Sequence, residues 1–285
     1  MRNVRKYLPT IFLILIFLMG VGLILYPTLA NWWNERLYQH AMVEYTGILA
    51  DSKEDVAEEM MKSARAYNER LARVTGNRFT DISEQEREEY SKQLSLQGDQ
   101  TGGMMGYLEI PSIDTTLPIY HGSDDAVLAS GVGHLEGTSL PVGGEGTHAV
   151  LSGHRGLPSA KLLTDLNKVE LGERFYIDVL NEKLVYEVDQ ILTVLPDEVE
   201  YLQIVKGMDY CTLVTCTPYG VNTHRLLVRG HRVFEEMTDS SQEAEINHHN
   251  NILGLLPFVV AGVMLVVMIL LLVPFRKKKN ESNEE

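Results

Sequence analysis

The sequence predicts a mostly-β domain, closed as a barrel or packed as a sandwich, with a helical N-terminal extension and a hydrophobic segment at each end. Three observations predict it. Between residues 104 and 235, eight short stretches rich in β-branched and aromatic residues alternate with turn signals. Residues 35 to about 100 carry apolar side chains at helical spacing. Near each end a long uncharged stretch adjoins a basic cluster.

Tyr7 to Asn34 contains no charged residue, its centre from Ile11 to Met19 is continuously apolar, and Arg2, Arg5 and Lys6 precede it. This is the form of a signal peptide or of an uncleaved signal anchor. Thr28-Leu-Ala30 offers small residues for cleavage, whereas the length of the stretch and the interfacial pair Trp32-Trp33 favour an anchor. At the other end Ile252 to Phe275 forms 24 uncharged residues followed at once by Arg276-Lys-Lys-Lys279. Such a length spans a hydrocarbon core, and the cations place that end inside the cell. The expected organisation is a basic end (1–7), an anchor or signal peptide (8–30), a helical extension (31–103), a β domain (104–235), a linker (236–251), a membrane helix (252–275) and a basic tail (276–285). With a membrane-spanning stretch at each end and both basic flanks inside, the barrel lies outside.

In the extension, Val56, Met60, Ala64, Tyr67, Leu71 and Val74 recur at steps of four and three, which lines one helix face. Glu54, Asp55, Glu58 and Glu59 crowd the early turns, where the helix dipole favours acids. Thr75-Gly76-Asn77 stops this helix, and Ser83-Glu-Gln-Glu86, in capping-box form, opens another towards Leu96. The expected strands are Gly106–Ile110, Thr116–Tyr120, Thr147–Leu151, Arg174–Val179, Leu184–Val188, Asp189–Val194, Tyr210–Thr215 and Arg225–Arg229. Helical insertions are expected near Asp124–Ser130 and Ser159–Leu166.

Composition narrows the function. The 285 residues are 45% hydrophobic and 22% charged, enough apolar content for a packed core rather than a disordered chain. The formal net charge is −14. Without the seven basic and three acidic residues of the tails, 18 basic and 36 acidic residues remain, or −18. That balance argues against a nucleic-acid partner and against a polybasic membrane-binding face. Two cysteines make neither a disulfide scaffold nor a four-thiolate metal site. No P-loop or dinucleotide fingerprint is present.

Cys216 closes the strand Thr212-Leu-Val-Thr-Cys216, just before Thr217-Pro-Tyr-Gly220. Alternation puts Thr212, Val214 and Cys216 on one face. A strand end beside a turn exposes a nucleophile on a rigid support, although an isolated cysteine is more often core. Cys211 is expected in the core. In an extended strand the two lie roughly 16 Å apart, whereas a disulfide needs Cα atoms within about 7 Å. Cys216 is therefore a candidate reactive thiol.

A thiolate needs a base or an imidazolium partner. Of the nine histidines, His248 and His249 abut the C-terminal hydrophobic stretch. His121, His134, His224 and His231 are as readily structural as functional. His154, in Leu151-Ser-Gly-His-Arg-Gly156, has a glycine on each side for a tight turn. Spacing alone leaves it level with His148. Arg225 follows the loop 217–224, so that pairing of the flanking strands returns a cation to Cys216, where a guanidinium stabilises an oxyanion. Arg229 and Arg232 compete for that role.

These residues resemble a known family. Thr212-Leu-Val-Thr-Cys216 is similar to the T-L-x-T-C signature of sortases, and Thr223-His-Arg-Leu-Leu-Val228 to the arginine strand that follows it. His154 to Cys216 is 62 residues and Cys216 to Arg225 is nine, spacings that suit the class C, pilus-assembling branch. Gly106-Tyr-Leu-Glu-Ile-Pro111, Leu117-Pro-Ile-Tyr-His-Gly122, Gly131 to Pro141 and Ser152-Gly-His-Arg-Gly-Leu-Pro158 match as well. The resemblance covers about 104–234. It implies an eight-stranded sortase barrel, with Cys216 as nucleophile, His154 as proton donor and acceptor, and Arg225 as stabiliser of substrate and oxyanion. It thereby selects His154 over His148. It also implies a transpeptidase without metal or organic cofactor. The enzyme cleaves an LPxTG-like sorting signal and joins it to a pilin lysine, with pilin or surface-protein subunits and the lipid bilayer as partners. Anchoring of proteins to peptidoglycan is the alternative. A non-catalytic tethered ectodomain is the alternative of another class, predicting that function survives Cys216→Ser. The chain departs from many class C members in one respect. Residues 35–103 hold no Asp-Pro-aromatic lid tripeptide, and in Asn77-Arg-Phe-Thr-Asp81 the aspartate is followed by Ile82.

Overall fold

The computed structural model describes residues 4–52, 54–73, 82–96 and 103–234, together with Gly262. The expected linker, the C-terminal membrane helix apart from Gly262, the basic tail, His248, His249 and residues 74–81, with Val74 and the stop Thr75-Gly76-Asn77, lie outside the described residues. The chain divides into two compact units, Met1–Trp32 with Met237–Glu285, and Trp33–Glu236. Helix α1 covers Val4–Asp51. Among the described residues it contains the single segment, Phe12–Asp51, that is long and apolar enough to cross a membrane by length and composition.

Within the second unit, α1 ends on a buried edge formed by Tyr38, Tyr45 and Leu49. The hydroxyl of Tyr45 donates to Met105 O at 3.0 Å and accepts from Leu180 N at 2.9 Å, satisfying two backbone groups of the barrel at once. Helix α2 covers Glu54–Arg73 and α3 covers Glu84–Lys92. Both helices are where the sequence places them, with two adjustments. The buried residues of α2 are Ala57, Met61, Ala64, Tyr67 and Asn68, while Val56 is exposed. The face is thus turned by about one residue, because Asn68 has a specific task. Its amide donates to Leu140 O at 3.0 Å and accepts from Leu140 N at 2.7 Å. Helix α3 stops at Lys92, four residues short of Leu96. Its capping box is complete: Ser83 Oγ accepts from Glu86 N at 3.3 Å, and Ser83 N donates to the Glu86 carboxylate at 2.8 Å.

The eight strands are β1 (Met104–Ile110), β2 (Thr115–His121), β3 (Val132–His134), β4 (Thr147–Ser152), β5 (Arg174–Val179), β6 (Glu182–Val194), β7 (Asp209–Thr217) and β8 (His224–Val233). They form a closed barrel in the order β1-β2-β3-β4-β7-β8-β6-β5. Closure leaves no free sheet edge. Pairs β2–β3 and β4–β7 are parallel and the others antiparallel. The interior is packed by Leu108, Ile119, Leu151, Ile177, Leu213 and Val228, and by the stacked rings of Phe175 and Tyr186, 5.5 Å apart. Gly230 faces those rings. A Cβ there would lie 2.7 Å from Phe175 Cε1, so no side chain fits.

Three expectations change. Leu184–Val188 and Asp189–Val194 are one strand, β6, interrupted only by a register shift between Val188 and Gln190. At that shift Asp189 turns out to pair with Arg229 at 2.9 and 3.1 Å. Strand β3 was not foreseen, since it has three residues, one of them glycine. The insertion at Asp124–Ser130 is helix α4, Asp125–Ser130, capped by Asp124. Ser159–Leu166, however, is not helical. Leu162 sits at φ +41°, outside the right-handed region, and the segment is a series of turns ending in a 3₁₀ turn at Leu166–Lys168.

Candidate active site

The antiparallel hairpin of β7 and β8 puts Cys216 directly opposite Arg225, with Thr217 opposite His224. Directly opposed residues share a face of the sheet. Cys216, Val214 and Thr212 of β7 therefore share one face with Arg225, Leu227 and Arg229 of β8. The other face of β7 carries Cys211 and Leu213 into the barrel core. Cys216 is part-exposed and unpaired, Cys211 is buried and unpaired, and burial pushes the Cys211 thiol well above its ordinary range.

His154 reaches this end of the barrel through the parallel pairing of β4 with β7, in which Ser152 lies opposite Val214. His154 follows two residues beyond Ser152, past the last paired position, as Cys216 follows two residues beyond Val214. The chain is pinned on either side of it. Gly153 N donates to Val214 O at 3.0 Å, Thr215 Oγ1 donates to Gly153 O at 2.8 Å, and Arg155 Nη1 donates to Thr217 Oγ1 at 3.1 Å. Leu163 N holds His154 O at 3.1 Å from the opposite direction.

The flanking glycines act differently from a shared role in turning the chain. Gly153 is needed for space. A Cβ there would come within 2.7 Å of Leu163 Cδ1, and Leu163 is fully buried. Gly156 is at φ +82°, a region open to glycine, and packs on the Tyr219 ring. Gly153→Ala should therefore displace the histidine loop, with a stability loss of about 1–3 kcal/mol and a larger fractional loss of turnover. Thermal unfolding and kinetics on the same preparation check this.

Three other histidines of the described residues, His148, His134 and His121, hold structural positions in the barrel. His148 is buried, with Nε2 2.7 Å from Thr212 Oγ1 and Nδ1 2.9 Å from Gln203 O. It ties β4 and β7 to the segment that follows β6. His134 is fully buried between Tyr90 Oη at 2.9 Å and Ser139 O at 2.8 Å. His121 faces Gln93 O at 2.7 Å and Gly103 O at 3.0 Å. His224 Nδ1 lies 2.9 Å from Thr223 Oγ1, and His231 Nδ1 lies 3.9 Å from Asp189.

Burial pushes His134 and His148 down to about 4 from 6.5. In the unfolded chain both protonate near the ordinary value, so the unfolded state binds more protons between those limits. Their contribution is complete above about pH 6.5 and is lost as pH falls towards 4. Asp178 and Asp209, raised by burial, oppose this at the acid end. The urea midpoint should fall between pH 7 and pH 5, and His148→Gln should reduce that slope.

Among the three arginines of β8, Arg229 is engaged by Asp189 and lies 4.1 Å from the centroid of the Tyr210 ring. Arg232 packs against Tyr186 and Phe234, at 5.8 and 5.3 Å from their ring centroids. Arg225 is held by backbone oxygens, its Nη1 donating to Asn222 O at 3.2 Å and His224 O at 3.1 Å. Among the described residues no carboxylate neutralises it. An apolar wall of Val150, Val194, Leu202, Val214 and Leu227 covers the sheet face on which Cys216 lies. Among the described residues no group of three or more His, Cys, Asp or Glu side chains has the arrangement of a metal site.

A family model described as Sortase domain matches residues 108–233. Sortase C1 of Streptococcus agalactiae is 49% identical, the match covering 69% of this chain and 100% of that one, with a TM-score of 0.65. The chain belongs to the sortase family. Its class C branch is supported by Streptococcus pneumoniae sortase C, 41% identical over 69% of this chain and 97% of that one, TM-score 0.61. Among curated relatives, Bacillus subtilis sortase D is 30% identical over 137 residues, which is 47% of this chain and 66% of that protein. The chain spans 47% of sortase A from Streptococcus agalactiae, so it covers two thirds or less of these curated relatives.

In this sortase Cys216 and Arg225 are cross-strand partners on one sheet face, and the loop carrying His154 is tied to the same end of β7. The structure leaves His148 in the body of the sheet and Cys211 in the core. Arg155 and Thr215, which secure the histidine loop to β7, both lie inside the motifs quoted above, but the sequence assigns neither of them a role.

Proposed function

We propose that this sortase is a membrane-anchored cysteine transpeptidase of pilus assembly, with Cys216, His154 and Arg225 as its catalytic residues. The observation that carries the reading is the cross-strand pair Cys216–Arg225 with the His154 loop pinned beside it. Two solved relatives bear on the substrate. One, from Clostridium perfringens, is sortase C with a C-terminal cell wall sorting motif, and work on the Streptococcus pneumoniae enzyme addresses pilin substrate specificity. The apolar wall beside Cys216 suits the leucine and proline of an LPxTG-like signal.

In this mechanism the Cys216 thiolate attacks the Thr–Gly carbonyl carbon. Arg225 donates to the developing oxyanion. Imidazolium His154 gives its proton to the departing glycine amine, leaving a thioester on Cys216. A lysine amine of the next pilin then attacks that thioester. His154 accepts its proton, the Cys216–acyl bond breaks, and an isopeptide bond remains. Every atom and charge balances without a cofactor. The segment 252–275, together with 8–30 where that segment is uncleaved, holds the enzyme in the bilayer beside its pilin substrates, and both termini of the uncleaved chain are then inside.

The test uses the full chain in detergent micelles with a purified pilin. Covalent ladders formed from pilin alone support the reading. Products formed only when a peptidoglycan amine is added assign the chain to cell-wall anchoring instead.

A further inference from the structure

We propose that Arg155 is a positioning residue, which fixes His154 relative to Cys216 by bridging the histidine loop to Thr217. The inference rests on the catalytic reading above.

Strands β4 and β7 are laddered from Thr147 opposite Asp209 to Ser152 opposite Val214. The last backbone link is Gly153 N to Val214 O at 3.0 Å. Beyond it the chain leaves the sheet, and His154 is the first residue past that link. Two side-chain hydrogen bonds straddle the histidine. On the near side Thr215 Oγ1 donates to Gly153 O at 2.8 Å, and on the far side Arg155 Nη1 donates to Thr217 Oγ1 at 3.1 Å. Thr215 and Thr217 are the two neighbours of Cys216. The loop bearing the ring is thus tied to the strand bearing the sulfur on both sides of the sulfur.

Arg155 also secures the loop to itself. Its Nε donates to Thr164 O at 3.1 Å and its Nη2 to Asn167 Oδ1 at 2.7 Å. The Thr164 hydroxyl accepts from Gly156 N at 3.2 Å. A planar guanidinium meets three acceptors on two segments, 164–167 and β7, at fixed angles, which the point charge of a lysine does not reproduce. Among the described residues Arg155 has no carboxylate partner, so its hydrogen bonds go to neutral oxygens. It is half-buried rather than a solvated surface charge. Arg155 touches no reacting atom and acts through Thr217.

The test is a set of variants of the full chain in micelles, assayed with a fluorogenic LPxTG-like peptide. Arg155→Ala and Thr217→Val should each lower kcat by about tenfold to a hundredfold, with KM within about threefold, as expected when geometry rather than binding is lost. The double variant should be no worse than the poorer single one, because both remove one link. Thr217→Ser, which keeps the hydroxyl, should retain activity. Asn167→Ala, which removes a different partner of Arg155, should leave kcat within about threefold. Multiplicative losses in the double variant, or an inactive Thr217→Ser, would overturn the inference. So would normal kcat in Thr217→Val, a fold-neutral change that keeps the question open to decision if Arg155→Ala does not fold. Full activity in Cys216→Ala or His154→Ala would instead overturn the catalytic reading on which it rests.

Discussion

Cys216→Ala should abolish both peptide cleavage and pilin ladders, while Cys211→Ala should remain active. The two thiols sit five residues apart on the same strand yet on opposite faces. Cys211 lies opposite Ala149 and Gly230 inside a filled barrel, and desolvation disfavours its thiolate. Cys216 lies past the packed core, part-exposed and opposite a guanidinium. Loss of the proposed nucleophile should remove the covalent route entirely. Cys211→Ala removes a buried sulfur and costs about 1–2 kcal/mol of stability without touching the chemistry. Rates for the two variants, with thermal unfolding alongside, separate the roles. An inactive but folded Cys211→Ala would reverse them.

The second large effect divides His154 from His148. His154→Ala should lower kcat by about a hundredfold to ten-thousandfold, the usual span for a positioned proton carrier. Its fold should be nearly unchanged, because its ring makes no hydrogen bond within the barrel that holds strands together. His148→Gln should do the opposite. It disturbs buried bonds to Thr212 and Gln203, lowers stability by about 1–3 kcal/mol and leaves kcat within a few-fold. Circular dichroism melts and steady-state kinetics on both variants read the contrast.

The barrel strands were legible because alternation and β-branched content mark them locally. The Cys216–Arg225 pairing was legible too, since an eight-residue loop between two strands suggests a hairpin. His154 was not decidable from spacing. Its proximity to Cys216 depends on the parallel β4–β7 pairing, a crossover between segments 62 residues apart, and His148 on the same strand satisfied the same pattern. Only the resemblance of Ser152-Gly-His-Arg-Gly-Leu-Pro158 to a family motif separated them. Residues 159–166 misled because Leu162, Leu163 and Leu166 mimic the apolar face of a helix. What they do instead is bury Leu162, Leu163 and Leu166 under the histidine loop through turns, with Leu162 in the left-handed region. Arg155 was invisible for a different reason. It lies inside the histidine motif, but nothing in the sequence marks its partners, and its three acceptors come together only in the folded chain.

The central claim is that one sulfur, held between an imidazole and a guanidinium, carries the acyl group. The most direct measurement is peptide mapping by mass spectrometry of the full-length enzyme trapped with an LPxTG-like peptide in the absence of an amine acceptor. The account predicts an adduct with the mass of the peptide through its threonine, on the fragment containing Cys216, sensitive to hydroxylamine and absent from His154→Ala. An adduct on Cys211, or peptide turnover with no thioester on either cysteine, would contradict it.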